Sequence, residues 1–450
     1  MTGGTWNTRT GFLLAAIGSA VGLGNLWRFP FAVGQDGGGT FLFVYLVCVV
    51  GIGFPLTLVE LSVGRRTGKS VVGALMEIGE GIWEYLGWLL VASAFLLLSY
   101  YTVVAGWVLR YGAFGFIDGY PSTVEAASAG FADVAVGLDT VGFHGLFMLA
   151  TVVVVALGLR RGIELAAKLM LPTLIVLLVG MAYYAYGLPG ASEAYAYYLV
   201  PDIGFLLGNW STVLPEALGQ AFFNLGLGMG IMVTYASYVD REENLIEDAG
   251  VIIAFDTAIS VVVGLVVFPI LFTAGVPPSG AGHGTILISL SAAFGGITGG
   301  GIVGVVFFGT VVVAALLSTV SLLEVVVSYM LEQEDFARSR RATTASVGVG
   351  LFLVGVPAAF SLSVFNIYDL FIDRVLLVFG SLLLTAYVGW RYRDEALDEA
   401  LRGSKGTRRL GKAWIWTVRY PAVVFLVFVL LLGITDYVEM VRGLAERFLV

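Results

Sequence analysis

The sequence predicts an all-α membrane protein of about eleven spans, the first and sixth of them broken inside the membrane. Three observations lead there. Apolar stretches of about 20 residues, each long enough to cross a bilayer, recur along the whole chain. Charged residues make up only 12% of the sequence against 58% hydrophobic ones, about half the charged share of a soluble domain. Two of the stretches carry clustered glycines beside an asparagine.

The hydrophobic runs place the spans near 11–34, 40–61, 86–115, 141–158, 165–187, 211–238, 249–275, 301–331, 344–364, 370–390 and 417–437. The first is longer than the apolar part of a signal peptide and holds Asn25 and Arg28, so it reads as a span. Basic residues set the orientation. Arg65, Arg66 and Lys69 follow span two, and Arg160, Arg161 and Lys168 lie between spans four and five. Arg338, Arg340 and Arg341 follow span eight, and Arg391, Arg393, Arg402, Lys405, Arg408, Arg409 and Lys412 precede span eleven. The opposite loops, near 117–140, 188–210 and 276–300, contain no Lys or Arg. This asymmetry predicts a multi-pass cell-membrane protein with its amino terminus in the cytoplasm. The loops at 117–140 and 276–300 read equally well as outer lids or plain connectors.

Several classes are excluded. The single cysteine, Cys48, allows neither an internal disulfide nor a thiolate cluster. The two histidines, His144 and His283, lie far apart, which leaves no histidine metal centre or Ser-His-Asp triad. An enzyme, an organic cofactor and a nucleic-acid partner find no support. The net charge of −8 says nothing about the substrate.

Span one contains Gly18-Ser-Ala-Val-Gly22-Leu-Gly24-Asn25, and span six contains Phe222-Phe223-Asn224-Leu-Gly226-Leu-Gly228-Met-Gly230. A glycine costs about 1 kcal/mol against alanine inside a helix, so such clusters mark breaks. A break frees amides and carbonyls that lipid cannot satisfy, and these must face protein, water or a ligand. Span one opens the first block of five spans and span six opens the second. Paired interruptions of this kind point to a midplane binding site in a transporter built from inverted repeats. Tight packing of small residues is the alternative; it explains the glycines and leaves Asn25 and Asn224 unexplained. Half-helix amino ends suit a carboxylate, and exposed carbonyls suit a hard cation.

These residues carry a family likeness. Trp6, Gly18-Ser-Ala-Val-Gly-Leu-Gly-Asn-Leu-Trp-Arg-Phe-Pro30, Asp36-Gly-Gly-Gly-Thr-Phe41, Pro55, Glu60-Leu61 and Gly64-Arg65 resemble the neurotransmitter:sodium symporters, their bacterial amino acid members above all. Ala217-Leu-Gly-Gln-Ala-Phe-Phe223 and Thr234-Tyr-Ala-Ser-Tyr238 match the family's sixth span. The resemblance implies a leucine-transporter-like fold in one transmembrane domain, residues 1–450. Repeat one would cover about 9–187, repeat two about 210–393, and an extra helix about 415–438. It implies a sodium-coupled amino acid symporter, with a carrier of an osmolyte as the alternative.

Site residues follow from the same resemblance. A first sodium ion would be held by the Ala20 carbonyl, Asn25, Asn224 and Asp256. The substrate carboxylate would meet that ion, the Leu23 and Gly24 amides and the Tyr101 hydroxyl. A second ion would use carbonyls of Gly18, Val21 and Ala314 with the Ser318 hydroxyl. Leu97, Phe223, Gly226, Met229, Ser318 and Leu322 would line the side-chain pocket. Arg28 with Asp369, supported by Gln220, would form the outer gate. Gly22 leaves room for the carboxylate, where amine carriers of the family hold an aspartate.

Three departures from the family pattern matter. Asp256 brings a built-in negative charge to the first ion, which argues against a need for chloride, although Tyr45, Gln220, Asn224 and Ser260 match chloride-site positions. Leu317 stands where an oxygen ligand of the second ion is usual, so that ion would bind weakly, recruit Thr319 or water, or be absent. The basic residue expected before Trp6 is missing, with Gly3 in its place, while Glu332 stands where its acidic partner would. Of the other intramembrane charges, Glu60 and Glu324 read as hydrogen-bond partners of backbone in the broken first span. Asp373 and Arg374 read equally as interfacial charges or gate residues. Trp6 and Arg9 are expected at the inner interface. Gly162 and Pro172 in span five predict unwinding or a kink. A medium or large apolar amino acid is the expected substrate, since Gly226 and Met229 widen and soften the pocket. Oligomeric state is not legible.

Overall fold

The structure is a computed structural model and describes residues 6–278, 284–333, 339–404 and 406–449. Gly3, His283, Arg338 and Lys405 lie outside the described residues. The described chain is helical from end to end. Among the described residues, nine helices are long and apolar enough to cross a membrane. A tenth span is the pair Arg9–Ala20 and Gly24–Gln35, bent by 45° at its break. The expected sixth span is divided between the helices Ile203–Leu225 and Ile231–Ala236. That division keeps it from reading as one continuous membrane helix.

The third span, within Gly81–Ile117, lies against the eighth, within Gly300–Glu332, along most of its length. The first half of span one packs against spans five, seven and eight. The broken spans are therefore shielded from lipid, as their freed backbone requires. Apolar side chains fill the interior, and large ones such as Val50, Val176 and Leu431 face outward. This two-sided apolar pattern is what a lipid solvent allows.

Several spans are distorted rather than broken. A π-turn at Val49–Gly53 precedes Pro55. Proline cannot donate the helical hydrogen bond of that turn, so a wider turn relieves it. Span five starts with a π-turn at Leu159–Ile163 and then runs as helix through Pro172 to Tyr186. Gly162 stands inside that π-turn, and the helix runs on unbroken through Pro172. Outside the spans, helices Val124–Ala135 and Thr285–Gly296 pack on each other at one end. Helices Arg393–Leu401 and Arg408–Thr417 do so at the other.

Candidate functional site

Helix Arg9–Ala20 begins on a Thr8 cap and stops at Val21, whose backbone is extended. The chain resumes as a π-turn at Gly24–Arg28 and then as helix Phe29–Gln35, with Pro30 in its first turn. Between the two, backbone groups find side-chain partners. The Gly22 amide donates to the Asn25 side-chain oxygen Oδ1 at 3.1 Å. The Leu23 amide donates to the Tyr101 hydroxyl at 2.9 Å. The Gly24 carbonyl accepts from the Gln220 amide at 2.9 Å. A Cβ on Gly22 would fall on the Ser318 hydroxyl and lie 2.8 Å from that of Tyr101.

The sixth span breaks differently. Gly226, Gly228 and Gly230 have φ of +64°, +78° and +69°. Three left-handed residues within five positions make a turn that only glycine adopts at little cost. The Gly228 amide donates to Glu60 at 2.9 Å. Glu60 was expected to brace the first span; it braces the sixth. The stretch Phe54–Thr67 packs against Ile231–Ala236, which brings the Glu60 carboxylate to the glycine turn just before that helix.

Between the breaks lies a buried polar cluster. Asn25 donates to Asp256 at 2.7 Å and to the Ser260 hydroxyl at 2.8 Å. Asn224 donates to the Tyr45 hydroxyl at 2.9 Å and accepts from Gln220 at 2.7 Å. Asn25, Asp256 and Ser260 are fully buried. Two acceptor oxygens, Asp256 Oδ2 and Gln220 Oε1, have no donor. Buried acceptors without donors are rare in folded proteins, and a carboxylate oxygen in that state is a natural cation ligand.

Beside the cluster is a small cavity of about 20 Å3. Of the residues expected at the substrate, Ala20, Gly22, Gly24, Leu97, Tyr101, Phe223, Gly226, Met229, Ser318 and Leu322 line it, together with Ser19 and Ile231. Leu23 and Asn224 do not. Leu23 faces the outer cavity, and the Asn224 side chain is turned to Tyr45 and Gln220. At the expected second ion, the Ser318 hydroxyl donates to the Ser19 carbonyl at 3.2 Å and to that of Ala314 at 3.5 Å. The Leu317 side chain fills the space against Gly18. Thr319 is not available there. It donates to the Leu316 carbonyl at 3.1 Å and is hydrogen-bonded to Thr151 at 2.8 Å.

Above Phe223 and Tyr101 opens a larger cavity of about 560 Å3. Arg28, expected to gate with Asp369, here pairs with Asp373 at 2.6 Å. Asp369, one turn earlier, accepts from the Tyr100 hydroxyl at 3.1 Å. Both carboxylates line the cavity, because four residues of helix bring them to one face. The π-turn Phe371–Leu376 carries the second of them. The Arg28 guanidinium also lies 4.9 Å from the centre of the Phe223 ring. Gln220 does not support Arg28; it braces Gly24 and Asn224. Arg374 holds Glu216 through two bonds of 2.7 and 2.8 Å. The sequence reading missed Tyr100 and Glu216. The helical spacing of Asp369 and Asp373 was a usable signal; the Glu216 pairing had none.

The opposite end is sealed. Trp6 is buried rather than interfacial, its indole donating to the Tyr235 carbonyl at 3.0 Å. Arg9 pairs with Asp248 at 2.7 Å and with Glu243 at 3.1 Å. Glu324 was expected to hold backbone; it accepts instead from Tyr238 at 3.2 Å and pairs with Arg340. Glu332 accepts from the amide and hydroxyl of Ser70 at 2.6 and 2.5 Å. An opening on one side, a plug on the other and a small chamber between them form an arrangement for passing a small solute.

The comparisons agree with that geometry. The model of the sodium:neurotransmitter symporter family matches residues 3–126 and 133–442. The chain belongs to this family. It is 32% identical to an uncharacterized sodium-dependent transporter of Bacillus subtilis, over 96% of this chain and 98% of that one. A further uncharacterized sodium-dependent transporter, from Methanocaldococcus jannaschii, is 32% identical over 88% of this chain and 83% of its own length. The bovine sodium-dependent neutral amino acid transporter B(0)AT2 is 30% identical over 59% of this chain. The crystal structure of MhsT in complex with L-phenylalanine superposes with a TM-score of 0.85. It is 36% identical and covers 95% of this chain and 99% of that one. The chain is thus a sodium-dependent transporter with the leucine-transporter-like fold.

Proposed function

We propose that the chain is a sodium-coupled, chloride-independent symporter of a hydrophobic amino acid, working by alternating access in the cell membrane with its amino terminus inside. One observation carries the reading: the unpartnered Asp256 oxygen, buried beside two broken helices. A sodium ion supplies the missing partner. Ala20, Asn25, Asn224 and Asp256 form its ligand set, and the Asn25 carboxamide turns over to present its oxygen. The carboxylate of Asp256 brings the negative charge that an anion would otherwise supply.

The substrate carboxylate meets this ion, the Leu23 and Gly24 amides and the Tyr101 hydroxyl. Its side chain lies among Leu97, Phe223, Met229 and Leu322, which suits an apolar group; the L-phenylalanine bound to MhsT fits this class. Because ion and substrate touch, each raises the other's affinity reciprocally. Arg28 and Asp373 close the outer side over the loaded site, with Asp369 beside them. The inner seal of Trp6 and Arg9 then opens. Gly18, Val21, Ala314 and Ser318 offer a second sodium site one oxygen short, because of Leu317. The second ion therefore binds weakly.

Uptake of phenylalanine into proteoliposomes under a sodium gradient tests the assignment. Asn25→Ala and Asp256→Ala are each expected to abolish it. Undiminished uptake in both overturns the site. Replacing chloride by gluconate is expected to leave uptake unchanged, and loss of uptake there removes the chloride independence alone.

A further inference from the structure

Helix Arg408–Thr417 runs without a stop into the last span through a π-turn at Val418–Ala422. One face is fixed inward. Gly411, Trp414 and Val418 are buried, and the Trp414 indole donates to the Pro55 carbonyl at 3.0 Å. At 100° per residue these three positions share one side of the helix. The opposite side then presents Arg409, Lys412, Trp416 and Tyr420, all of them exposed.

This stripe has an ordered composition. Its two cations come first, and its two aromatic rings follow toward the membrane span. Trp416 and Tyr420 stand 6.1 Å apart, ring centre to ring centre. Arg419 lies next to them, its guanidinium 5.3 Å from the ring centres of both Tyr420 and Trp390. The Arg419 Nε is buried and has no hydrogen-bond partner. Among the described residues, Arg409, Lys412 and Arg419 form no ion pair, whereas Arg408 has Asp398 at 3.6 Å. Three cations are thus left without counter-ions at the point where a helix enters the apolar layer.

We propose that this stripe, with Arg419 and Trp390 at its edge, is a docking surface for the head groups of anionic phospholipids. Charge complementarity selects the head group, and the rings at interface depth hold the glycerol and upper acyl region. The Arg419 guanidinium, without an ion pair beside the two rings, offers its charge to the phosphate. The surface lies at the same end of the molecule as Arg9. Arg65 links the two regions, contacting the Glu243 carbonyl and pairing with Glu399 of the neighbouring helix. None of these residues belongs to the transport site, so the proposal stands or falls apart from it.

The test is native mass spectrometry of the purified full-length protein, titrated with phosphatidylglycerol or with phosphatidylcholine of the same acyl chains. Phosphatidylglycerol is expected to bind at several-fold lower concentration. Lys412→Gln and Arg419→Gln should each weaken it about 5-fold, from about 1 kcal/mol per basic residue, and leave phosphatidylcholine binding unchanged. Lys412 is exposed, so its variant folds even if that of Arg419 does not. Arg341→Gln, in the first turn of the ninth span, serves as the control and should change nothing. Equal binding of the two lipids, unchanged binding in the Lys412 variant, or an equal loss in the Arg341 control overturns the proposal. Displacement of the lipid by soluble glycerol phosphate overturns it too, in favour of a free-phosphate site.

Discussion

At the scale of single residues, the outer cavity holds a group whose environment works against its charge. Asp36 follows the last helical turn of span one, outside the membrane-spanning segment. Burial, and then the nearby Glu216 carboxylate, push its carboxyl up to about 7, with Arg374 partly opposing. The folded protein therefore holds this proton more tightly than the unfolded chain, where an aspartate titrates near about 4. The stability this contributes is fully present below about pH 4 and is lost as pH rises toward about 7. Asp36→Asn cannot titrate. Thermal unfolding of the solubilised protein, followed by tryptophan fluorescence, should show a flatter pH dependence across that window in the variant. An unchanged slope would refute the assignment. Nearby, Gly22 illustrates a different control: its missing side chain is what leaves the Ser318 and Tyr101 hydroxyls facing the chamber.

At the scale of elements, the eighth span bears on the proposed second sodium site. Leu317 fills the space opposite Gly18 with methyl groups, and Thr319 is held by Thr151 of span four. Leu317→Thr is expected to add the missing oxygen and to raise the Hill coefficient of sodium-dependent binding from about 1 toward about 2. A coefficient that stays put would show that this position does not limit the second site. The elements themselves were largely legible in the sequence. The spans follow from apolar runs, and both breaks follow from glycine clusters, because a break has a local cause. The partners across the molecule were less so. Glu60 bracing the sixth span, Gln220 bracing Gly24 and Arg28 pairing with Asp373 each depend on how separate helices are rotated. The four-residue spacing of Asp369 and Asp373 is visible in the sequence, but which of the two meets Arg28 is not.

At the scale of the whole molecule, one buried ion pair ties distant segments together. Arg65 of span two and Glu399 of the helix before span eleven pair at 2.7 Å with both side chains fully buried. Arg65 also reaches the Glu243 carbonyl, and Glu243 in turn meets Arg9. The inner seal is therefore continuous with the carboxyl-terminal helices. Removing one partner leaves an uncompensated buried charge, so Glu399→Gln should destabilise the fold by about 3–5 kcal/mol. The double variant Arg65→Met with Glu399→Leu should recover much of that loss, as read by the unfolding temperature. A double variant as unstable as the single one would mean that the pair is not the origin of the effect. The two cavities carry a last consequence. The inner chamber, at about 20 Å3, has room for about one water molecule. For the proposed amino acid to enter there, the midplane must dilate, so a loaded protein would occupy more space there than the empty one. Hydrostatic pressure acts against any such swelling, so compression favours the resting form and makes the molecule a volume-sensitive machine as well as an ion-sensitive one.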